Sequence, residues 1–483
     1  MINLEIALHD LKKEIEKSEN GVVFGSSFVK FFESNLLNFS LQHCNDDFLI
    51  WIGESADPFS HMPDLESRIS LYSQYIYVEG IAVYVSTKRG KLSVIVSRTY
   101  RGTCPIYASY HGENLFVSWR YEDVVHGLSD AKPNIEACKI FIQHGATQIR
   151  DQVIAGTYNL WPAETLRFSE SHISFIEAPE RAIPSPTPIH EHARVCEAFY
   201  GILKDDLQRY AGSSPKPLVE VSGGLDSGTL ALAAGAVFPN ACSYGLIQLG
   251  VLGEQQRRRR SELVDLAKLI DFEFPADAIP PFRGLEQEET WNVVFDDNHR
   301  PSCAAATDAH PSGPFDLLIA GIGGDEIMMQ NTYTRQDWEV AGTICTSTTV
   351  SGIARADMFL RRGIWPVNPF SSIELIDFCR SLPRNFLQGR QLVKMNLARL
   401  GLSDGFLFPR FAEHYGEMMR YEMAFLDFDS LFSDSISANY ELTAFSGLLK
   451  ETHDAHYYGF SYELIGKLWN IAKLDRVLSR YIG

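Results

Sequence analysis

Residues 222–227 read Ser-Gly-Gly-Leu-Asp-Ser and follow directly on the apolar run Pro-Leu-Val-Glu-Val at 217–221. Two glycines at the end of a strand allow a tight turn whose backbone N–H groups point at an anion such as a phosphate. The small apolar residues from Gly228 onwards predict a helix, whose positive N-terminal end would face the same anion. The carboxylate at position 226 tolerates that anion only with a cation between them, so the pattern predicts Mg²⁺. The predicted phosphate-binding residues are Ser222, Gly223, Gly224, Leu225, Asp226 and Ser227.

Residues 321–326 repeat this arrangement further along the chain. They read Gly-Ile-Gly-Gly-Asp-Glu and follow Phe-Asp-Leu-Leu-Ile-Ala at 315–320, a run typical of a buried parallel strand. Hard cations take oxygen ligands and keep substrate phosphates as co-ligands, so Asp226 and Asp325 are predicted to share one Mg²⁺. Gly321 and Gly323 are predicted to lie beside the nucleotide. Taken without the first motif, residues 321–326 are equally typical of a glycine turn before a helix that has no role in binding.

The pair of motifs resembles a known family. Residues 222–227 differ from the Gly-x-x-x-x-Gly-Lys-Ser/Thr loop of kinases. They resemble the pyrophosphatase-type P-loop of enzymes that split ATP into AMP and pyrophosphate, and both motifs together are similar to the synthetase domain of the asparagine synthetase family. The resemblance implies a doubly wound parallel sheet that binds ATP at the carboxyl ends of its strands. It also implies that the strand 244–249, which ends at Leu249, lies beside the adenine.

Two later segments supply the cations that the resemblance implies. The run Leu-Val-Lys-Met-Asn-Leu-Ala-Arg at 392–399 is similar to a family helix with a pyrophosphate-binding lysine, here Lys394. The run Pro-Arg-Phe-Ala-Glu-His-Tyr-Gly at 409–416 is similar to a loop that carries a catalytic lysine in the β-lactam-forming branch, and Arg410 stands at that position. Lys394 and Arg410 are therefore the predicted catalytic residues. Arg410 is expected to stabilise charge and not to shuttle protons, because its guanidinium stays protonated.

The N-terminal half predicts a different fold. Residues 81–85 and 92–96, and residues 105–110 and 115–119, are apolar strand-like runs around short turns and predict two β-hairpins. The stretches at 96–107 and 155–163 resemble the glutaminase domain of the same family, which implies an N-terminal nucleophile (Ntn) αββα sandwich. The family uses an N-terminal cysteine, whereas residue 2 is Ile, so we expect a degenerate scaffold without glutaminase activity. The predicted division is a scaffold domain at 1–177, a Pro-rich linker at 178–189 and a synthetase-like domain at 190–483.

Composition narrows the function classes. The chain has 483 residues, is 45% hydrophobic and carries a net charge of −18, which argues against nucleic acid as a general partner. No apolar run reaches the about 20 residues that span a bilayer, and residues 1–6 do not resemble a signal peptide, so a cytoplasmic protein without a membrane span is expected. The eight cysteines are scattered and are expected to be reduced and mostly buried.

The resemblance implies that the protein forms an amide bond through an acyl-adenylate. The branches of the family differ in the nitrogen compound that attacks this adenylate. In the second motif the family's base or substrate-orienting residue is replaced by Ile322, which neither accepts a proton nor donates a hydrogen bond. We favour the branch that closes the macrolactam ring of lasso peptides, with a precursor peptide and a leader-peptide protease as partners. The alternatives are a β-lactam synthetase-like or other amide ligase on a small-molecule carboxylate, an asparagine synthetase, and a non-catalytic ATP-binding module.

Three further segments have two interpretations each. The run of four arginines at 257–260 predicts a solvated face at a helix start, or else a dock for an acidic peptide or pyrophosphate. The polar residues 296–300 predict a surface loop, with the lining of a substrate entrance as the alternative. The aromatic-rich residues 421–481 predict helical core packing, with a peptide-gripping surface as the alternative.

Overall fold

The fold was taken from a computed structural model of the protein. It describes residues 2–8, 10, 15–18, 20–45, 47–86, 93–147, 149–177, 184–190, 193–213, 215–328, 346–411, 416–432, 435–442, 447, 450–452, 454–455 and 459–482.

Antiparallel strands dominate the N-terminal half. They form a seven-stranded sheet, in the order β11-β9-β10-β1-β4-β3-β2, and a six-stranded sheet, in the order β13-β12-β8-β7-β6-β5. The strands are β1 (Ile2–Ala7), β2 (Glu16–Ser18), β3 (Gly21–Phe24), β4 (Ser27–Phe31), β5 (Asn38–Cys44), β6 (Asp47–Gly53), β7 (Gly80–Ser86), β8 (Ser93–Arg98), β9 (Tyr107–His111), β10 (Asn114–Ser118), β11 (Thr157–Asn159), β12 (Thr165–Ser169) and β13 (His172–Ile176). The helices are α1 (Leu65–Tyr72), α2 (Tyr121–His126) and α3 (Ile135–His144). Both predicted hairpins are confirmed, as the antiparallel pairs β7–β8 and β9–β10.

The two antiparallel sheets pack face to face between layers of helix. In β6, Ile50 lies in the largest hydrophobic core, whereas its neighbour Trp51 packs against α1 on the other face of the sheet. On the seven-stranded sheet, the Ser109 hydroxyl of β9 donates a hydrogen bond of 2.7 Å to the Val124 carbonyl of α2. The order helix, sheet, sheet, helix agrees with the predicted sandwich, and its assignment to the glutaminase type stays a prediction.

The C-terminal half alternates strands with helices. Its strands are β14 (Pro217–Glu220), β15 (Cys242–Ile247), β16 (Ile270–Pro275), β17 (Leu317–Ile319) and β18 (Trp365–Val367). Its helices are α4 (Val195–Ala211), α5 (Leu225–Val237), α6 (Gly250–Ala267), α7 (Pro281–Gly284), α8 (Arg300–Ala309), α9 (Gly324–Ile327), α10 (Thr346–Leu360), α11 (Ile373–Ser381), α12 (Arg384–Leu387), α13 (Gln391–Arg399), α14 (Asp404–Leu407), α15 (Gly416–Met423), α16 (Phe428–Phe432), α17 (Ile436–Asn439) and the C-terminal helix Tyr462–Ile482. Short 3₁₀ turns cover Glu288–Trp291, Pro369–Ser371 and Gln388–Arg390.

These five strands form one parallel sheet in the order β16-β15-β14-β17-β18. Val219 of β14 pairs with Ser243 of β15 on one side and with Ile319 of β17 on the other. Residues of α4, α5, α6 and α13 cover one face, and residues of α8 and α10 cover the opposite face. The α/β class is therefore confirmed. The strand order reverses between β14 and β17, which is the topological switch point where such sheets bind ligands.

Buried charge joins the two halves. Arg101 pairs with Asp206 of α4 at 2.5 Å, and both side chains are almost fully buried. The C-terminal helix packs against α3, where the Asn470 side chain donates to the Ile142 carbonyl at 3.2 Å. Of the predicted linker, residues 178–183 lie outside the described part, and Thr187 donates its backbone N–H to the Ser381 carbonyl at 2.9 Å. The final helix of the C-terminal half therefore rests on the N-terminal half.

The surface-loop interpretation of residues 296–300 is wrong. The side chains of Asp296 and Arg300 are 2% and 1% exposed, because α10 and the C-terminal helix bring opposite charges to them. Arg300 pairs with Asp296 at 3.3 Å and with Asp357 at 2.9 Å, and Lys473 pairs with Asp296 at 2.9 Å. The charges of Asp296 and Arg300 are thus neutralised inside the protein by ion pairs with residues that are distant in the sequence.

The described aromatic side chains of the C-terminal segment are divided between core and surface, so the predicted core packing is confirmed only in part. Phe428, Phe432, Phe460 and Trp469 belong to one buried cluster. Tyr421, Phe425, Tyr440 and Tyr462 are exposed, and the ring centroids of Tyr421 and Phe425 lie 5.2 Å apart. Phe445, Tyr457 and Tyr458 lie outside the described residues.

The described cysteines are free thiols. Cys44 is exposed, Cys196 is half-buried, and the other five are buried; Cys345 lies outside the described residues. Among the described helices, none is both long and apolar enough to cross a membrane.

Candidate functional site

The loop after β14 is a tight, hydrogen-bonded turn. Gly223 has a φ of +89°, in the left-handed region that glycine adopts without strain, and Gly224 is the N-cap of α5. The hydroxyls of Ser222 and Ser227 lie 3.0 Å apart, and the Ser227 hydroxyl accepts the Ser222 backbone N–H at 3.2 Å. The turn therefore presents the N-terminal end of the 13-residue helix α5 at the edge of the sheet, which favours a bound anion.

The loop after β17 packs directly onto this turn. A Cβ atom on Gly324 would lie 2.3 Å from the Cγ atom of Asp226, and one on Gly321 would lie 3.1 Å from the backbone nitrogen of Ser227. Gly323 has a φ of +102°, which lets the chain turn into α9. Both glycine motifs thus meet at the switch point, as the sequence predicted, and Gly324 is the residue that permits the contact.

Arg390 lies between the two carboxylates of this pair of loops. Its Nη2 atom is 3.3 Å from Oδ2 of Asp226 and also contacts Oδ1 of Asp325. Gly389 and Arg390 have φ values of +63° and +58°, and this left-handed pair ends a 3₁₀ turn just before α13. The structure therefore brings together the two predicted metal ligands, with a guanidinium group at the place where the sequence predicts a cation.

A cavity of about 390 Å³ opens at these loops. One group of lining residues comes from the two glycine motifs and Arg390, and another comes from β14, β15, α10 and the residue before α8. The lining residues are Glu220, Val221, Ser222, Gly224, Leu225, Asp226, Ser227, Gly245, Leu246, His299, Gly321, Ile322, Asp325, Arg355 and Arg390. The volume is in the range of small-molecule sites.

A charged cluster forms one wall of the cavity. Arg355 donates to Asp297 Oδ2 at 2.6 Å and to a carboxylate oxygen of Glu220, whose other oxygen accepts the Tyr244 hydroxyl at 3.1 Å. Burial alone would lower the pKa of Arg355, but Asp297 and Glu220 raise that pKa well above its ordinary value. Burial would likewise raise the pKa of the Asp297 carboxyl, but Arg355 brings it below its ordinary value. Arg355 and Asp297 therefore form a charged pair at neutral pH.

His299 adds a neutral imidazole to the same wall. It is the N-cap residue of α8 and is buried, and its backbone N–H donates to Asp297 Oδ1 at 2.7 Å. Burial lowers the pKa of the imidazole below its ordinary value of 6.5, although the Asp297 charge opposes this shift. A neutral imidazole in a cavity can accept a proton from a reacting group.

The arginine run supports the first loop from behind. α6 begins at Gly250, so residues 257–260 lie inside the helix and the predicted helix start is wrong. Arg257 is exposed and pairs with Glu273 at 3.1 Å, but Arg260 is fully buried, pairs with Asp271 at 2.5 Å and donates to the Val221 carbonyl. Arg260 is therefore not on a solvated face. It cannot dock a ligand either, because its guanidinium group is already paired inside the protein.

Gln256 completes this support. Its side-chain nitrogen donates to the carbonyls of Ser222 and Leu246, both at 2.8 Å, and its oxygen accepts the Gln248 N–H at 3.0 Å. The backbones of the turn and of β15 are thus fixed to the same helix. Such support holds a binding loop in one conformation.

Lys394, Arg410 and Leu249 are not among the residues that line the cavity. Lys394 is half-buried on α13, with its ammonium 5.2 Å from the Phe408 ring centroid. Arg410 is exposed, with its guanidinium 5.1 Å from the Phe411 ring centroid. Leu249 is the exposed N-cap of α6, while Gly245 and Leu246 of β15 line the cavity. The predicted loop 409–416 is described only to residue 411 and at residue 416.

The sequence analysis did not single out Arg390, Glu220 or Arg355, whereas His299 belongs to residues 296–300, whose alternative interpretation was the lining of a substrate entrance. The Gly-Arg pair before α13 is a signal for Arg390, because glycine before a helix marks an unusual backbone that can aim the next side chain. Glu220 ends the strand that leads into the first glycine motif without being part of that motif, and Arg355 lies on α10, where the sequence shows no motif. Within the described residues, no group of three or more His, Cys, Asp or Glu side chains is arranged to hold a metal, so a metal at the Asp226–Asp325 pair would need ligands from a bound molecule.

No family model matches the chain in a comparison with protein-family models, and a search of curated proteins gives no significant match either.

Proposed function

We propose that the protein is an ATP-dependent ligase that activates a carboxylate as an acyl-adenylate and joins it to an amine, with release of AMP and pyrophosphate. One observation carries the proposal: two glycine loops end adjacent parallel strands at the switch point and bring Asp226 and Asp325 to the same cation. A phosphate cradle beside two carboxylates matches a bound polyphosphate with its metal.

The residues fit Mg²⁺ as the cation that ATP brings. Asp226 and Asp325 are hard oxygen ligands that already converge on one positive group, Arg390. The missing side chain of Gly324 leaves room for Asp226, since a Cβ there would lie 2.3 Å from its Cγ. Bound Mg²⁺ would neutralise charge on the phosphates and on the departing pyrophosphate.

The chain's own groups support each part of the reaction. The backbone N–H groups at the start of α5 would bind phosphate oxygens while a substrate carboxylate oxygen attacks the α-phosphorus and pyrophosphate leaves. Arg390 is placed to hold phosphate charge, and Lys394 and Arg410 keep their predicted role on the pyrophosphate. An amine then attacks the acyl carbon, and AMP leaves with the former carboxylate oxygen.

We propose a peptide as the substrate, with ring closure between its α-amine and an Asp or Glu side chain, as in lasso peptide macrolactam formation. Ile322 lines the cavity where the resembling family has a carboxylate or tyrosine, which argues against ammonia and against small-ring closure. His299 is the neutral group on the wall that can take the proton released by the amine. A precursor peptide and a leader-peptide protease would be the partners, in the cytoplasm. A small-molecule carboxylate is the alternative.

Oxygen-18 labelling tests this proposal. The full chain is incubated with ATP, Mg²⁺ and peptides that have a free amino terminus and one oxygen-18-labelled Asp or Glu side chain. We expect the peptide to lose one water, pyrophosphate to form in equal amount, and the label to appear in AMP. Formation of ADP and phosphate, or AMP without label, would rule out the adenylate. Labelled AMP from small labelled acids but not from peptides would select the small-molecule alternative.

A further inference from the structure

We infer that Arg390 is the resident counter-ion of the Asp226–Asp325 pair, so that a divalent metal enters this site only together with a nucleotide polyphosphate. The inference rests on the proposed function and adds a property of the site: ordered entry of the metal. In this sequence of events Arg390 pairs with the two carboxylates before ATP binds and with the phosphates afterwards.

The contacts of Arg390 support this role. One guanidinium nitrogen reaches both carboxylates, at 3.3 Å from Asp226 Oδ2 and in contact with Asp325 Oδ1. The Asp226 side chain is 13% exposed and that of Arg390 is 17% exposed, so this ion pair is only weakly screened by solvent, whereas the Asp325 side chain is 49% exposed and its contact with Arg390 is screened more strongly. An ion pair between partly buried groups is stronger than one between fully exposed groups, because less water screens it.

The charges explain why the metal needs a nucleotide. Two carboxylates and one guanidinium leave a single net negative charge, and a divalent cation would have to displace the guanidinium against like-charge repulsion. The phosphates of ATP change this balance because they offer Arg390 bidentate oxygen partners and bring additional metal ligands. Arg390 can then move from the carboxylates to the phosphates while the metal takes its place.

The backbone allows that movement. Gly389 and Arg390 are both left-handed, at φ values of +63° and +58°, and they form the joint between a 3₁₀ turn and α13. Glycine at such a joint accepts a change of backbone angles at little cost. Arg390 is the only cation among the described residues that line the cavity and contact both carboxylates.

Manganese binding followed by electron paramagnetic resonance tests the inference, since free Mn²⁺ gives a signal that binding removes. Wild-type protein is titrated with Mn²⁺, with and without α,β-methylene-ATP, whose α–β bridge cannot be cleaved. We expect Mn²⁺ affinity to rise at least tenfold when the nucleotide is present. Arg390→Gln should bind Mn²⁺ at least tenfold more tightly than wild type without nucleotide, and Arg390→Lys should lie between them.

Arg257→Gln is the charge-matched control, because Arg257 is exposed and pairs with Glu273 on the edge strand β16. It should behave as wild type. Equal Mn²⁺ affinity of wild type and Arg390→Gln without nucleotide would overturn the inference, and circular dichroism checks that each variant is folded. Absence of α,β-methylene-ATP binding to wild type would instead remove the proposed function, and the nucleotide-free comparison would still decide the role of Arg390.

Discussion

The contact between the two glycine loops predicts a specific effect of Gly324→Ala. The added Cβ atom would lie 2.3 Å from Cγ and 2.7 Å from both Cβ and Oδ1 of Asp226. Carbon atoms pack at about 3.5–4.0 Å, so Asp226 or the whole loop has to move by about 1 Å or more. Gly324 does not have a positive φ, so the cost is steric and not a matter of backbone strain.

The expected magnitude follows from this overlap. Overpacking costs about 1–3 kcal/mol, and the better helix propensity of Ala offsets about 1 kcal/mol, which leaves a loss of up to about 2 kcal/mol in the free energy of unfolding. If Asp226 swings away instead, stability is kept but the carboxylate leaves its place beside Arg390. A displacement of this size lowers activity by about 100-fold in precisely arranged sites, and we expect a comparable loss of affinity for the metal–nucleotide complex.

Urea unfolding and calorimetric titration with Mg²⁺ and α,β-methylene-ATP measure the two effects. Gly201→Ala is the matched control, because Gly201 lies inside α4 and an added Cβ there has no neighbour within 4 Å. This control should gain about 0.5–1 kcal/mol and bind as wild type. If Gly324→Ala also matches wild type in stability and affinity, the two loops do not meet as described.

Three further predictions concern charge. Arg101→Ala should lower the free energy of unfolding in urea by about 1–3 kcal/mol, because it removes the buried partner of the Asp206 carboxylate and leaves that carboxylate only its pair with the partly exposed Arg209; a loss well below about 1 kcal/mol would contradict the buried pair. Burial raises the pKa of Glu422 from 4.5 to about 7, so the native state holds the extra proton and the stability it provides is lost as pH rises through 7. Wild type should therefore lose up to about 3 kcal/mol between pH 5 and pH 8, Glu422→Gln should lose less in urea melts over that range, and identical slopes would refute the assignment. Arg390→Ala should lower the rate of pyrophosphate release about 100-fold, and Arg410→Ala should lower it less, because of these two residues only Arg390 lines the cavity. Equal losses in the two variants would indicate that Arg410 also holds the pyrophosphate.

Short sequence motifs predicted correctly which two loops form the site. An apolar run, glycines and a carboxylate, repeated twice, define two strand ends, and parallel strands bring their ends to one edge of the sheet. The contacts of Asp226 and Asp325 with Arg390 confirm that these two residues are brought together. The metal that they are predicted to share stays a prediction, as do the roles of Lys394 and Arg410.

Charged partners distant in sequence could not be predicted in the same way. Arg260 was expected on a solvated face, but Asp271 and the Val221 carbonyl make its burial favourable. Residues 296–300 were expected in a surface loop, but cationic and anionic side chains of α10 and the C-terminal helix satisfy them inside the protein. Periodicity and motif spacing do not predict such ion pairs, because the pairs depend on how whole helices and strands pack against each other.

The most direct test of the central claim is calorimetric titration of the protein with α,β-methylene-ATP in the presence of Mg²⁺. The account predicts one nucleotide bound per chain, with binding lost on chelation of the metal and lowered at least tenfold in both Asp226→Asn and Asp325→Asn, which should unfold as wild type does. Absence of binding to wild type, or unchanged affinity in both variants, would contradict the claim that the two glycine loops form a site for ATP and its metal.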